Sequence, residues 1–318
     1  MTWPAGFRAG HWTDAEAGTG CTVVLPPPGT VAAVDVRGGG PSTLQTDLLA
    51  PQNPLQEVTA LLLTGGSAFG LGATAGVVDW CVAHGLGYDV AVTRVPIVPT
   101  AVIFDLGITG NARHPGPADA ALACDAAVEA APPSGSVGAG TGATVGKLFG
   151  REGWCKGGFG VAAARTLGGV SVAVLAVVNA FGDILDERGG ILAGAWRQGE
   201  GFADARRAVT EITPGHPRLV EHTTLGVVLT DGALTKADAT QVARMASAGM
   251  SRVVAPVHTP LDGDVVFSLA SGARPATAFA VGVTAATLME EAIRTAVRSA
   301  TAVRGVPTAL DRLVSTSA

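Results

Sequence analysis

Thr223 and Thr224 stand where a polar stretch with two prolines, Glu211 to His222, gives way to a β-branched apolar run. A threonine at a chain start can be a complete catalytic unit. Its α-amine, with a reference pKa of about 8, can take the proton of its own hydroxyl directly or through water. That amine exists only once the peptide bond after His222 is cut. Taken alone, the junction reads equally as an exposed loop leading into a strand. Asp262 and Asp264 flank Gly263, so in an extended segment both carboxylates share one side; alone, the tripeptide reads as a turn. Asn179 closes an apolar run and by itself would satisfy backbone groups there. Lys147 by itself reads as a surface lysine.

Two stretches imitate nucleotide sites. Residues 138–147 end in Gly146-Lys147, but a phosphate loop needs glycine where Thr141 stands and a hydroxyl where Leu148 stands. Gly70, Gly72 and Gly76 follow an apolar run, yet they fall inside a helical stretch, where small residues serve close packing. Cys21, Cys81, Cys124 and Cys155 are far apart and form no C-x-x-C pair, and no Cys/His cluster suggests zinc. Buried free thiols are the expectation, as is the absence of a metal or other cofactor. Asp262 and Asp264 lack the further acidic oxygens that calcium requires.

The elements that must position these residues are legible. Strand-like runs cover 21–25, 31–36, 60–64, 102–104, 170–178, 223–230 and 265–269, several of them apolar on both faces. Strands of that kind are covered on both sides. A helix is predicted over 67–84 with Ser67 as N-cap, and a second over 117–131. Thr235 and Asp238 are spaced as a capping box opening a third helix towards Ala248. A fourth lies within 276–303, with apolar spacing at Phe279, Val283, Ala286 and Met289.

The 318 residues are 47% hydrophobic and 15% charged, with 44 glycines and 19 prolines. That composition suits a layered α/β protein with a sizeable core and argues against disorder. The net charge of -5 and the scattered Lys and Arg argue against a nucleic-acid partner. The N-terminal residues lack a basic start followed by an apolar stretch, and no apolar run is long enough to span a bilayer. The expectation is a soluble cytoplasmic protein with no membrane partner. No internal repeat or linker divides the chain, so one domain is expected.

Several segments, taken together, resemble one family. They are Gly10-His11-Trp12-Thr13-Asp14, Val36 to Pro41, Leu63 to Leu71, Val95 to Pro99, Phe104-Asp105-Leu106-Gly107 and Gly138 to Ala143. Further along are Lys156 to Gly160, Val177 to Asp183, Thr223 to Val228 and Asp262-Gly263-Asp264. In this order, over nearly the whole chain, they resemble the P1 or S58 peptidases, which include DmpA-type aminopeptidases, β-aminopeptidases and nylon-oligomer hydrolases.

The resemblance implies a four-layer α-β-β-α sandwich of the N-terminal-nucleophile-like type. It implies a precursor that cuts itself before Thr223 into residues 1–222 and 223–318. The Thr223-Thr224 pair is most similar to the nylon-oligomer branch. The preceding residue departs from the usual Asn or Gly: here it is His222. By the same resemblance, Asn179 is the oxyanion-stabilising amide. Lys147 lines the site and favours the neutral amine, while Asp262 and Asp264 orient that amine. The expected substrate is a small amide or peptide. With a single tyrosine and few aromatics, a small, mainly aliphatic pocket is expected. The expected assembly is a homo-oligomer, tetrameric or larger, of processed heterodimers. Two alternatives are acyl transfer of the ornithine acetyltransferase type and an uncut binding protein of the same fold.

Overall fold

The computed structural model describes residues 2–110, 113–211 and 222–315. Ten strands build two five-stranded sheets. They are β1 (Arg8–Asp14), β2 (Thr19–Leu25), β3 (Val31–Val36), β4 (Thr43–Leu44), β5 (Leu61–Thr64), β6 (Thr100–Val102), β7 (Gly158–Arg165), β8 (Ser171–Asn179), β9 (Thr223–Ala233) and β10 (Val265–Pro275). Four helices cover them: α1 (Thr74–Ala83), α2 (Pro117–Asp125), α3 (Lys236–Met250) and α4 (Ala278–Arg298). The first sheet has the order β1-β2-β5-β6-β4 and the second β7-β8-β9-β10-β3. Within the second, β8 and β9 are antiparallel, whereas β9 and β10 are parallel.

Side-chain alternation along doubly apolar strands makes the layers. Ala173, Leu175 and Val177 of β8 and Leu225, Val227 and Leu229 of β9 point between the sheets, against Leu61, Leu63 and Ala101. The alternate residues Val172, Val174, Ala176, Val178 and Val228 point outward onto α3 and α4. On the far side, Val23, Leu25 and Leu62 pack under Val77 and Cys81 of α1 and Ala120 and Ala123 of α2. The result is the expected α-β-β-α sandwich. The four cysteines are buried free thiols, and burial raises the pKa of each.

Four local expectations shift. Ser67 is not an N-cap: Gly66 holds that place with φ 87°, and Ser67 itself has φ 52°. Its N–H is committed to the Ile103 carbonyl at 2.9 Å, and a 3-10 turn over Ser67–Ala73 precedes α1. The helix expected over 117–131 stops at Asp125, because Val128 and Ala9 exchange backbone hydrogen bonds across the edge of β1. The strand expected at 102–104 ends at Val102, and Asp105 turns inward. On α4, Ala286 and Met289 are buried as expected, but Phe279 and Val283 are 77% and 48% exposed, and Val281, Ala285 and Ala292 lie on the buried face instead. A Cβ on Gly160 of β7 would lie 1.9 Å from the Ala292 carbonyl oxygen, so helix and strand meet through small residues. The Thr235–Asp238 capping box is present as expected.

Candidate active site

The antiparallel register of β8 and β9 sets Asn179 directly opposite Thr223. Both continue the rows that point between the sheets, and both are buried. The Asn179 Oδ1 accepts from the Thr144 N–H at 3.0 Å and from the Lys147 ammonium at 2.7 Å. Two donors on one atom fix the amide orientation, because an amide nitrogen could accept from neither. Nδ2 therefore faces the other way and donates to the Phe104 carbonyl at 3.2 Å, with a second N–H to offer.

Lys147 is a buried residue, not a surface one. It follows Gly146, which has φ 69° and sits where a Cβ would lie 2.0 Å from the Gly194 carbonyl carbon. That left-handed turn swings Lys147 inward. Its N–H then donates to the Phe181 carbonyl at 3.1 Å, and its ammonium lies 5.8 Å from the centre of the Trp154 ring. A small cavity of about 20 Å³ opens beside it, lined by Phe104, Ile108, Thr144 and Trp154 among others.

The segment ahead of β10 closes the other side. His222 forms a parallel bridge with Asp262: its N–H donates to the Leu261 carbonyl at 3.3 Å, and its own carbonyl accepts from the Gly263 N–H at 2.6 Å. A Cβ on Gly263 would lie 2.7 Å from the Thr223 Oγ1 and 2.9 Å from the Gly40 carbonyl oxygen, so only glycine passes between them.

The two carboxylates have separate tasks. Asp264 accepts from the Thr224 N–H at 2.6 Å through one oxygen. Through the other it bonds the His258 N–H at 3.1 Å and the His258 Nδ1 at 2.9 Å. It thus anchors the residue after Thr223 rather than presenting a free oxygen. Asp262 accepts from the Thr259 N–H at 2.8 Å. Burial, and secondly the negative charge of Asp264, push the Asp262 pKa upward.

His222 is buried, although the stretch before Thr223 reads as an exposed loop; residues 212–221 of that stretch lie outside the described residues. Its ring is tilted against Phe181 at 5.1 Å, and neither ring nitrogen has a hydrogen-bond partner among the described residues. Burial, reinforced by the positive charge of Lys147, pushes its pKa down to about 2, so the imidazole is neutral.

The structure thus gathers His222, Thr223, Asn179, Lys147, Asp262 and Asp264 at one place. The sequence reading missed the groups that support them. Thr144 and His258 carry no motif of their own, and only the six-residue spacing of His258 from Asp264 hints at the pair. Lys156 is fully buried and donates to the Thr141 carbonyl at 3.0 Å and to the Ala143 carbonyl. It holds the turn whose next N–H, that of Thr144, reaches Asn179. Burial lowers the Lys156 pKa to about 7, opposed by the charge of Asp105. Asp105 accepts from the Thr19 hydroxyl at 2.6 Å and the Gly66 N–H at 2.7 Å, and burial raises its pKa to about 6.

Chemically, a hydroxyl faces an amide donor aligned by a cation, in a water-poor setting. That arrangement suits attack on a carbonyl with stabilisation of the resulting oxyanion. Among the described residues, no group of three His, Cys, Asp or Glu is placed to hold a metal ion, and no helix is long and apolar enough to cross a membrane.

Comparison with known proteins agrees with this reading at the level of family. The model of peptidase family S58 matches residues 4–309. An uncharacterized aminopeptidase of Mycobacterium tuberculosis is 42% identical over 337 residues, covering 96% of this chain and 95% of the relative. A 6-aminohexanoate-oligomer endohydrolase of Kocuria sp. is 30% identical over 272 residues, covering 83% of this chain and 72% of the relative. In three dimensions, the L-aminopeptidase D-Ala-esterase/amidase of Ochrobactrum anthropi, described as a variant of the Ntn hydrolase fold, superposes with a TM-score of 0.72. The superposition covers 98% of this chain and 92% of that one at 19% identity, which speaks to the fold alone. A family model that spans almost the whole chain, with full-length relatives at such identity, means that this chain belongs to peptidase family S58, a family of peptide and amide hydrolases.

Proposed function

We propose that this protein is a self-cleaving amide hydrolase whose nucleophile is Thr223. The observation that carries the reading is the scissile bond itself. The His222 carbonyl is held by the Gly263 N–H at 2.6 Å, while the missing Cβ of Gly263 leaves room for the Thr223 hydroxyl beside it. In maturation, the Thr223 Oγ1 attacks the His222 carbonyl carbon and the C–N bond breaks, giving an ester and a free α-amine. Water then hydrolyses the ester to a His222 carboxylate. Residues 1–222 and 223–318 result and remain one folded unit.

In turnover, the Thr223 amine takes the hydroxyl proton and Oγ1 attacks a substrate amide carbonyl. The Asn179 Nδ2 donates to the oxyanion. The leaving amine takes up the proton, and water hydrolyses the acyl-enzyme. Lys147 aligns Asn179 and disfavours a protonated amine beside it. Asp262 orients the amine, and Asp264 positions it through Thr224. The substrate is a small amide or peptide with a mainly aliphatic acyl part, in keeping with relatives named aminopeptidase and aminohexanoate-oligomer hydrolase. We place the protein in the cytoplasm as a homo-oligomer, tetrameric or larger, of processed heterodimers.

The test is intact mass under denaturing conditions together with amide hydrolysis, for the wild type and for Thr223→Ala. The wild type should yield two masses dividing between His222 and Thr223. Thr223→Ala should yield one mass and no turnover. A processed or active Thr223→Ala protein would sink the mechanism.

A further inference from the structure

The sandwich has a second concave site, at the opposite end of its first sheet. β2 starts at Thr19, whose hydroxyl touches Asp105 beside the candidate active site, and ends at Leu25, which lines this cavity. Six residues of strand separate the two ends by roughly 20 Å. The cavity has a volume of about 310 Å³, at the lower end of the range for small-ligand sites and enough for an amino acid or a dipeptide.

Its chemistry is amphipathic. Leu25, Pro27, Val58 and Leu86 supply apolar wall, and Arg8 and Glu57 supply opposite charges. Gly6, with φ 80°, lets the chain pass Pro27, whose ring would stand 3.2 Å from any Cβ there. The prolines at 26–28 hold that wall in a fixed backbone conformation. Arg94 also lines the cavity, but its guanidinium serves its own hairpin, reaching the Gly87 carbonyl at 3.3 Å and Asp89 at 3.7 Å.

Arg8 differs. It is half-buried on β1, opposite Leu25 in register, and its side chain makes no hydrogen bond or ion pair with any described residue. A guanidinium carries five donors in a planar fork that matches a carboxylate. A half-buried fork left open towards a preformed cavity is built for an anion of that shape.

We propose that this cavity binds a small carboxylate with an aliphatic body and a distal or α-ammonium, that is, a free amino acid or a dipeptide. Arg8 takes the carboxylate, the Leu25–Pro27–Val58–Leu86 wall takes the body, and the exposed Glu57 faces the ammonium. Molecules of this class are what peptide and amide hydrolysis releases, so the site would sense product at a distance from the nucleophile.

The experiment is calorimetric titration of the purified full-length protein with probes it cannot hydrolyse: hexanoate, hexylamine and 6-aminohexanoate. Hexanoate should bind saturably and 6-aminohexanoate more tightly. Arg8→Gln should weaken both by about tenfold or more, while leaving amide turnover without added ligand unchanged. No saturable hexanoate binding, binding of hexylamine alone, or equal hexanoate binding to Arg8→Gln would each overturn the site. If Arg8→Gln fails to fold, Glu57→Gln, at an exposed position, serves instead: 6-aminohexanoate should lose its advantage over hexanoate, and an undiminished advantage overturns the site equally. Because the deciding readout is binding of unhydrolysable probes in this cavity, the result stands apart from the fate of the Thr223 mechanism.

Discussion

Lys147 links the site's electrostatics to its geometry. Its ammonium bonds the Asn179 Oδ1 at 2.7 Å and lies close enough to His222 to lower that imidazole's pKa. Replacing it with methionine keeps the buried volume and removes the charge. Asn179 would keep the Thr144 N–H on its oxygen and the Phe104 carbonyl on its nitrogen but lose its charged donor, so Lys147→Met should lose on the order of tenfold in kcat. Under the proposed mechanism, the same loss of positive charge removes what disfavours the protonated Thr223 amine. The acid limb of the kcat/KM profile should therefore move to higher pH, since more of the amine is protonated at any given pH. A profile superimposable on the wild type would mean that Lys147 acts on neither the amide nor the amine.

At the scale of elements, close approach between strand and helix holds the site's framework. α4 lies against β7 with Gly160 facing the Ala292 carbonyl, and β7 pairs along its length with β8, which carries Asn179. A Cβ 1.9 Å from a backbone oxygen cannot be relieved by a rotamer change. Gly160→Ala should therefore cost about 3 kcal/mol and lower the thermal midpoint by roughly 5 °C or more. Gly72, in the 3-10 turn before α1, has nothing within 4 Å of its would-be Cβ. Gly72→Ala should stay within about 1 kcal/mol of the wild type and lean towards stabilisation. Thermal unfolding of the two variants side by side checks both; equal effects would refute the close-packing account of the α4 face.

At the scale of the whole molecule, a cut after His222 would divide the second sheet between two chains without opening it. β9 pairs with β8 from Val172 to Asn179 on one side and with β10 on the other, while β10 pairs with β3 near the start of the chain. α4, beyond residue 222, packs on β8, and Val174 and Val178 share one apolar cluster with residues of α3 and α4. Separation would bare the inter-sheet core to water. The two fragments should therefore co-elute on native size exclusion and separate only once denaturant unfolds them. Fragments that part under native conditions would contradict the shared core.

Much of this was legible beforehand for identifiable reasons. Runs such as 172–178 are apolar at every position, and a strand covered on both faces uses such a run, so the central layers follow from composition and order. The Thr235–Asp238 box marks a helix start because its bonds are local. The roles of Thr223, Asn179, Asp262 and Asp264 follow from segments in family order and that of Lys147 from the same resemblance, and their spacing along the chain says nothing of distance. What tertiary structure alone decided is how they meet. The β8–β9 register put Asn179 opposite Thr223, and the turn at Gly146 buried a lysine that reads as a surface residue. The fold also committed Asp264 to Thr224 and His258, turned Phe279 and Val283 of α4 outward, and hid His222. Each of these depends on which backbone groups are already satisfied by partners distant in sequence, and local propensity and periodicity carry no record of those partners.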